Sequence, residues 1–310
     1  MTAPRREGIL ILGTPRSGTT LLRRLLNAHP SIACPGETNL LSACGRFLQS
    51  ERIAEDVQVG VLTGLEFAGF PPDETVGRLR ELAFGFLREY AARAGKPRWA
   101  EKTAFNLFHL PQIERLVGDR VDVVCIQRHG LDVVVSLNDL CQKNGAYLAE
   151  LHDYVRRHPV IFEAFAHAWV DLTRAMLELA ERRPGTLLVR YEDLVADPEA
   201  ALRRILAHLG EEWHPPLLEE AMRDRGSVGL GDWKTYERRT VGQESVGRWR
   251  ELSPRTLRRL GEICNPTLRA AGYEPVEAQP VGGEDQAQRS YELGLLLKTL
   301  GVNPRRPRES

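Results

Sequence analysis

Aromatic residues make up only 7% of the 310 in this chain, and cysteines number five. Cys34, Cys44, Cys125, Cys141 and Cys264 are scattered, odd in number and free of any Cys-x-x-Cys pair. That excludes a disulfide framework or a zinc site and predicts buried free thiols. No apolar run approaches the ~20 residues needed to cross a bilayer, and Ile9-Leu12 is too short for a signal-peptide core, so a cytoplasmic protein with no membrane span is expected. Net charge is also lacking: 42 basic residues balance 42 acidic ones. Nothing in the bulk charge attracts nucleic acid or an acidic membrane, and any anion site must be local. The 42% hydrophobic content suffices for one large α/β domain or two small ones.

One more absence is specific. The apolar run Ile9-Leu10-Ile11-Leu12 meets Gly13, and Gly18 follows after Thr14, Pro15, Arg16 and Ser17, which is phosphate-loop glycine spacing. Where that pattern carries Lys-Ser or Lys-Thr, this chain has Thr19-Thr20. Backbone amides of a glycine turn, joined to a helix N-terminus, bind an oxyanion whatever side chain fills the lysine position. Arg16 offers a positive charge from within the loop, and Thr19 and Thr20 offer hydroxyls. The loop therefore suits a phosphate that is anchored rather than transferred.

Strand and helix patterns alternate along the chain. Gly8-Leu12 reads as a buried strand, and Leu21, Leu22, Leu25 and Leu26 share a helical face that stops at His29-Pro30. Val121-Ile126 reads as a second buried strand, followed by Gln127-Arg128-His129-Gly130 and a helix over Leu131 to about Leu140. Thr186-Arg190 is a third strand, and Pro198-Leu209 a helix with Pro198 in its first turn and Gly210 as its C-terminal cap. The fold class is α/β, a parallel sheet flanked by helices and nucleotide-binding in character. A single domain over residues 1–275 is expected, with helical insertions near 40–95 and 147–181. A polar extension, 276–310, follows, with a short helix predicted over Tyr291 to Leu300 and a disordered end from Asn303.

Three stretches together resemble the sulfotransferases that use 3′-phosphoadenosine 5′-phosphosulfate (PAPS) and release 3′-phosphoadenosine 5′-phosphate (PAP). Pro15-Arg16-Ser17-Gly18-Thr19-Thr20-Leu21-Leu22 resembles the family's 5′-phosphosulfate loop. Strand Val121-Ile126, then Arg128 and, along the next helix, Ser136, resembles its 3′-phosphate element. Ser245-Val246-Gly247-Arg248-Trp249-Arg250 resembles the segment that closes over the nucleotide, with Ser245, Gly247, Arg248 and Trp249 as cofactor-binding candidates. The likeness spans about Gly8 to Tyr273. Residues Pro15 to Thr38 look most like the branch holding tyrosylprotein sulfotransferases and related bacterial enzymes.

The resemblance implies roles. The glutamate of Gly36-Glu37-Thr38 is the implied general base. Lys102, in Trp99-Ala100-Glu101-Lys102-Thr103, matches the family's leaving-group lysine, although Ala104 stands where the family has proline. Arg16 is implied beside the 5′-phosphate, and Tyr191 at the adenine side. Sulfuryl transfer is an in-line displacement in which fixed cations replace a metal while a carboxylate takes the acceptor proton, so no metal is expected. The family's dimer motif is only echoed, by Thr240-Val241 with Tyr236 and Ser245 at its charged positions, and leaves oligomeric state open.

Plainer readings stand beside these. Taken alone, Glu37 is a cap for a helix near Thr38, Lys102 a solvated lysine, Arg128 and Ser136 an ordinary strand-end arginine and helix serine, and Tyr191 and Trp249 core aromatics. His29, His109, His129 and His167 show no ligand spacing and read structurally. A phosphate-loop kinase or nucleotide hydrolase needs a lysine near Thr19 and an acidic strand end, and Gln127-Arg128 has the wrong sign. A non-catalytic nucleotide-binding protein would lack Glu37 and Lys102. The acceptor expected here is a small hydroxylated metabolite, sugar or lipid.

Overall fold

The structure is a computed structural model that describes residues 6–223 and 241–277. The predicted helix over Tyr291-Leu300, the end from Asn303, and Tyr236 and Thr240 of the dimer-motif echo lie outside the described residues. The chain opens with β1 (Gly8–Leu12), α1 (Thr19–Asn27), β2 (Ile32–Ala33) and α2 (Leu40–Phe47). A hairpin follows, β3 (Ser50–Ala54) and β4 (Val57–Gly60), then α3 (Val61–Phe67), α4 (Pro72–Arg93), β5 (Arg98–Glu101) and α5 (Leu110–Val117). Next come β6 (Val121–Gln127), α6 (Gly130–Asn144), α7 (His152–Arg157), α8 (Ile161–Arg182) and β7 (Thr186–Arg190). The described chain closes with α9 (Tyr191–Ala196), α10 (Pro198–Leu209), α11 (Leu217–Arg223) and α12 (Pro254–Ala270).

Five strands form one sheet in the order β2-β5-β1-β6-β7, and every pairing in it is parallel. The three sequence-predicted strands are β1, β6 and β7. β2 has only two residues, too few for a periodic signal. The hairpin β3-β4 also escapes the expectation of helix and loop over 40–95, because nearly all of it is solvent-exposed and its side chains show no buried alternation.

Both faces of the sheet are covered, as its uninterrupted apolar strands require. Leu10 and Leu12 of β1, with Val121, Val123 and Cys125 of β6, pack into a core with α2, α4, α5 and α8. Ile9 and Ile11, with Val124 and Ile126, face the opposite way, onto α1, α9, α10 and α11. A third cluster joins α6, α8 and α12. The cap signals hold: Asp197 accepts from the Ala200 amide at 3.0 Å ahead of Pro198, and Gly210 closes α10 with φ 69°. All five cysteines are free and buried. Burial pushes the Cys34, Cys125 and Cys264 thiols up to about 12, so they stay protonated and inert.

Parallel pairing brings every strand's carboxyl end to the same edge. β1 runs into the glycine loop, β2 toward Glu37, β5 into Lys102, β6 into Arg128 and β7 into Tyr191. Chain order reverses about β1, whose neighbours are β5 and β6, and such a switch point opens a crevice for a ligand.

Candidate active site

The loop from Gly13 to Gly18 turns tightly, with the Ser17 amide donating to the Thr14 carbonyl at 3.0 Å. Glycine is required at both ends. A Cβ on Gly13 would lie 2.6 Å from the Ile126 carbonyl oxygen, and Gly18, at φ 96°, leaves no room beside the Tyr191 ring. Gly18 supplies no side-chain cap to α1, so the first-turn amides of that helix face the crevice. Two hydroxyls in the loop, Thr14 Oγ1 and Ser17 Oγ, are buried without a hydrogen-bond partner among the described residues. Native structures seldom leave such donors unmatched, and an oxyanion in the loop would satisfy them.

At one end of the loop stands a carboxylate and an ammonium. Lys102 Nζ donates to Glu37 Oε1 at 2.7 Å and to Thr20 Oγ1 at 2.9 Å. The lysine is 1% exposed, while Glu37 keeps a solvent-facing side. Neither plain reading applies: Lys102 is not solvated, and Glu37 caps no helix, since α2 starts only at Leu40 with a left-handed Asn39 before it. The Ala104 amide also donates to Glu37 Oε1, at 3.4 Å. A proline at that position has no N–H to give, so the departure from the family pattern adds a donor to the carboxylate.

Glu101, which sequence reasoning passed over, organises this end. Its buried carboxylate accepts from Thr103 Oγ1 at 2.6 Å, Asn106 Nδ2 at 2.5 Å and Thr38 Oγ1 at 3.2 Å. The loop after β2 is thereby tied to the loop after β5, and Glu37 sits one residue from the tie. Burial raises the Glu101 carboxyl's proton affinity, with the three donors acting against it. The signal for Glu101 was its place as the last residue of a wholly buried strand.

The other end is cationic. Arg128 is 4% exposed. Its guanidinium donates to the carbonyl of Arg16 at 2.9 Å and to that of Ser245, and lies 4.7 Å above the Tyr191 ring. Its Nε has no partner, and among the described residues no carboxylate is within ion-pair distance of it. Desolvation lowers its proton affinity. A buried cation with no carboxylate at ion-pair distance among the described residues is costly, and a bound anion relieves that cost. Arg16 Nε donates to Ser136 Oγ at 3.1 Å, so Arg16 and Ser136 meet beside this pole.

The surroundings of the remaining sequence candidates are specific. Arg16 was expected beside the 5′-phosphate. Its backbone is left-handed, φ 73°, and its Nε reaches Ser136 on α6. Tyr191, expected on the adenine side, has its ring buried, packed on Gly18 and beneath Arg128. Trp249 stacks on His129 with ring centroids 5.0 Å apart. Asp132, 1% exposed and in the first turn of α6, accepts from the Gly247 amide at 2.8 Å and the Trp249 amide at 3.2 Å. Arg248 pairs with Asp139 at 2.9 Å. The amides of Gly247 and Trp249 and one guanidinium nitrogen of Arg248 are thus engaged within the chain, and the segment braces Arg128 through the Ser245 carbonyl. At the end of β6, Gln127 donates its side-chain amide to the Ala271 carbonyl at 3.1 Å.

The family model described as "Sulfotransferase family" matches residues 8–215, and the chain belongs to that family. Among curated proteins it is 27% identical to a putative protein-tyrosine sulfotransferase of Caenorhabditis briggsae, over 88% of this chain and 91% of that one. It is 28% identical to nodulation protein NoeE of Sinorhizobium fredii, over 95% and 70%, and 26% identical to protein-tyrosine sulfotransferase 1 of Danio rerio, over 86% and 72%. Among solved structures, the sulfotransferase domain from the curacin biosynthetic pathway superposes with TM-score 0.57 at 20% identity, covering 89% of this chain and all of that one. A mouse sulfotransferase complexed with PAP superposes with TM-score 0.51 at 16% identity, over 86% and 85%. These two likenesses establish the fold. The chain is a sulfotransferase of the α/β class, and its relatives lie in the tyrosylprotein and bacterial branch.

Proposed function

We propose that the protein transfers a sulfuryl group from PAPS to a hydroxyl acceptor, with Glu37 as base. The supporting observation is the two-ended crevice: unmatched hydroxyls and uncapped amides in the loop, Lys102 and Glu37 at one end, and at the other a buried Arg128 with no carboxylate at ion-pair distance among the described residues. A donor bearing phosphate at both the 5′ and 3′ positions presents two anionic groups to two such sites. PAP in the mouse structure agrees with this donor.

The residues fit the group, and their roles follow. The Gly13–Gly18 loop and the N-terminus of α1 hold the 5′-phosphate, with Ser17, Thr19 and Thr20 supplying hydroxyls. Arg128, Ser136 and Arg16 hold the 3′-phosphate. PAPS supplies the electrophilic sulfur. The acceptor oxygen bonds to that sulfur as the bond to the bridging phosphate oxygen breaks, and the acceptor proton passes to Glu37 Oε. Lys102 Nζ, within hydrogen-bond reach of both Thr20 and Glu37, neutralises charge on the departing oxygen. A divalent metal has no part in this scheme, because Lys102 and the arginines supply the positive charge.

The acceptor is a small hydroxylated metabolite, sugar or lipid, met in the cytoplasm. A protein tyrosine is a second reading, favoured by the names of several relatives. Incubation with sulfur-labelled PAPS in excess EDTA, against a panel of phenols, sugars and a tyrosine-containing acidic peptide, tests all of this. Transfer to a small hydroxyl that survives chelation is expected. Loss of transfer on chelation, restored by magnesium, would overturn the metal-free scheme, and transfer to the peptide alone would replace the acceptor.

A further inference from the structure

The segment that carries Glu37 is fixed from a second direction. β2 ends at Ala33, whose pairing with Trp99 is the last rung of the ladder to β5. Cys34 lies past that rung yet is wholly buried, so its backbone groups need partners that the sheet does not supply. Both come from side chains of α1. Arg23 Nη1 donates to the Cys34 carbonyl at 3.0 Å, and the Cys34 amide donates to Asn27 Oδ1 at 2.9 Å.

Thr20, Arg23 and Asn27 stand at i, i+3 and i+7, on one face of the helix. Thr20 accepts from Lys102 at 2.9 Å, so this face meets the leaving-group lysine at one end and the segment of the base at the other. α1 does not need an arginine to stay in place. Leu22, Leu25 and Leu26 are fully buried with Ile9 and Ile11 of β1, whereas Arg23, 4% exposed, carries a charge into the interior at a cost that leucine would avoid. Only Pro35 and Gly36 separate Cys34 from Glu37, and proline fixes its own φ and keeps the residue before it extended. On the far side of Glu37, Thr38 is tied to Glu101 at 3.2 Å.

We propose that Arg23 and Asn27 are positioning residues: they clamp Cys34 and thereby set where the Glu37 carboxylate stands relative to the phosphate loop from which α1 starts. The assignment rests on the reading of Glu37 as base, and neither residue touches the reacting atoms. A misplacement of about 1 Å at a reacting group costs roughly a hundredfold in rate. Loss of half the clamp therefore slows transfer while the anchors of the two phosphates stay in place.

Arg23→Met and Asn27→Leu are compared with the unmodified enzyme by titration with PAP, by single-turnover transfer from PAPS to the best acceptor of the panel, and by amide hydrogen exchange. Each lowers the transfer rate about tenfold to a hundredfold and keeps PAP affinity within about threefold. Each also speeds exchange over residues 34–38 about tenfold in the nucleotide-free protein. Asn27→Asp, which keeps an oxygen for the Cys34 amide, restores the rate to within about threefold. On a Glu37→Gln background neither change costs more than about a further threefold, because the group they position is gone. Asn27 is only half-buried, so Asn27→Leu decides the matter if Arg23→Met fails to fold. Unaltered rate or exchange, PAP affinity lost in step with rate, or a full further loss on the Glu37→Gln background each overturns the clamp while Glu37→Gln alone stays slow. Glu37→Gln at the full rate overturns the base itself, and this assignment with it.

Discussion

Glu37 and Arg128 illustrate how single side chains divide the work of the crevice. Glu37 is tied to Lys102 at 2.7 Å, and glutamine at that position keeps a carbonyl for the ammonium while removing the proton acceptor. Glu37→Gln therefore lowers the single-turnover transfer rate by roughly a hundredfold to ten-thousandfold and leaves PAP affinity nearly unchanged. Turnover equal to that of the unmodified enzyme would reduce Glu37 to an ion-pair partner. Arg128 is the converse case, a buried guanidinium held by two carbonyls. Arg128→Met loses about 1.5–3 kcal/mol of PAP binding, tenfold to a hundredfold in affinity, measured by titration. Because the guanidinium is desolvated with no carboxylate at ion-pair distance among the described residues, the same change leaves the Tm of the nucleotide-free protein unchanged or higher. A large drop in Tm with intact PAP binding would mark Arg128 as structural.

At the scale of elements, the segment around Gly247 and the first turn of α6 form a brace. Asp132 accepts two amides from the segment, and Trp249 stacks on His129 while Tyr273 meets the same imidazole edge-on. Asp132→Asn replaces a charged acceptor of two backbone amides with a neutral one and weakens PAP binding severalfold through Ser245 and Arg128, with no change in metal requirement. Titration checks it, and unaltered affinity would detach the segment from the cationic pole. Burial also lowers the His129 imidazole to about 4, below its unfolded value near 6.5. The unfolded chain thus binds this proton first as pH falls. The stability contributed by neutral His129 is complete above about pH 6.5 and is lost between 6.5 and about 4, on the order of 3 kcal/mol. His129→Phe keeps a ring for Trp249 and removes this loss, so its Tm falls less than that of the unmodified protein across the interval. Parallel Tm curves would contradict the assignment.

Across the whole molecule, the legible parts were those encoded by consecutive residues. β1, the glycine loop, α1 and the strand of Arg128 each announce themselves through short-range pattern, and parallel pairing then brings their ends to one edge. The crevice also depends on partners far apart in sequence. Glu101 joins Thr38 to Asn106, and Asp132 reaches Gly247 and Trp249 across more than a hundred positions. No local periodicity carries such pairings. The contact of Arg16 with Ser136, 120 positions away, is of the same long-range kind.

The central claim is that one crevice holds a nucleotide by two separate phosphates. Calorimetric titration of the unmodified protein with PAP, AMP and ATP in the same buffer tests it most directly. PAP and AMP differ only in the 3′-phosphate, so the cationic pole of Arg128, Ser136 and Arg16 has to appear as their difference. The account predicts that PAP binds about tenfold to a hundredfold more tightly than AMP, and more tightly than ATP, with no dependence on magnesium. Equal affinities for PAP and AMP, or magnesium-dependent preference for ATP, would contradict it.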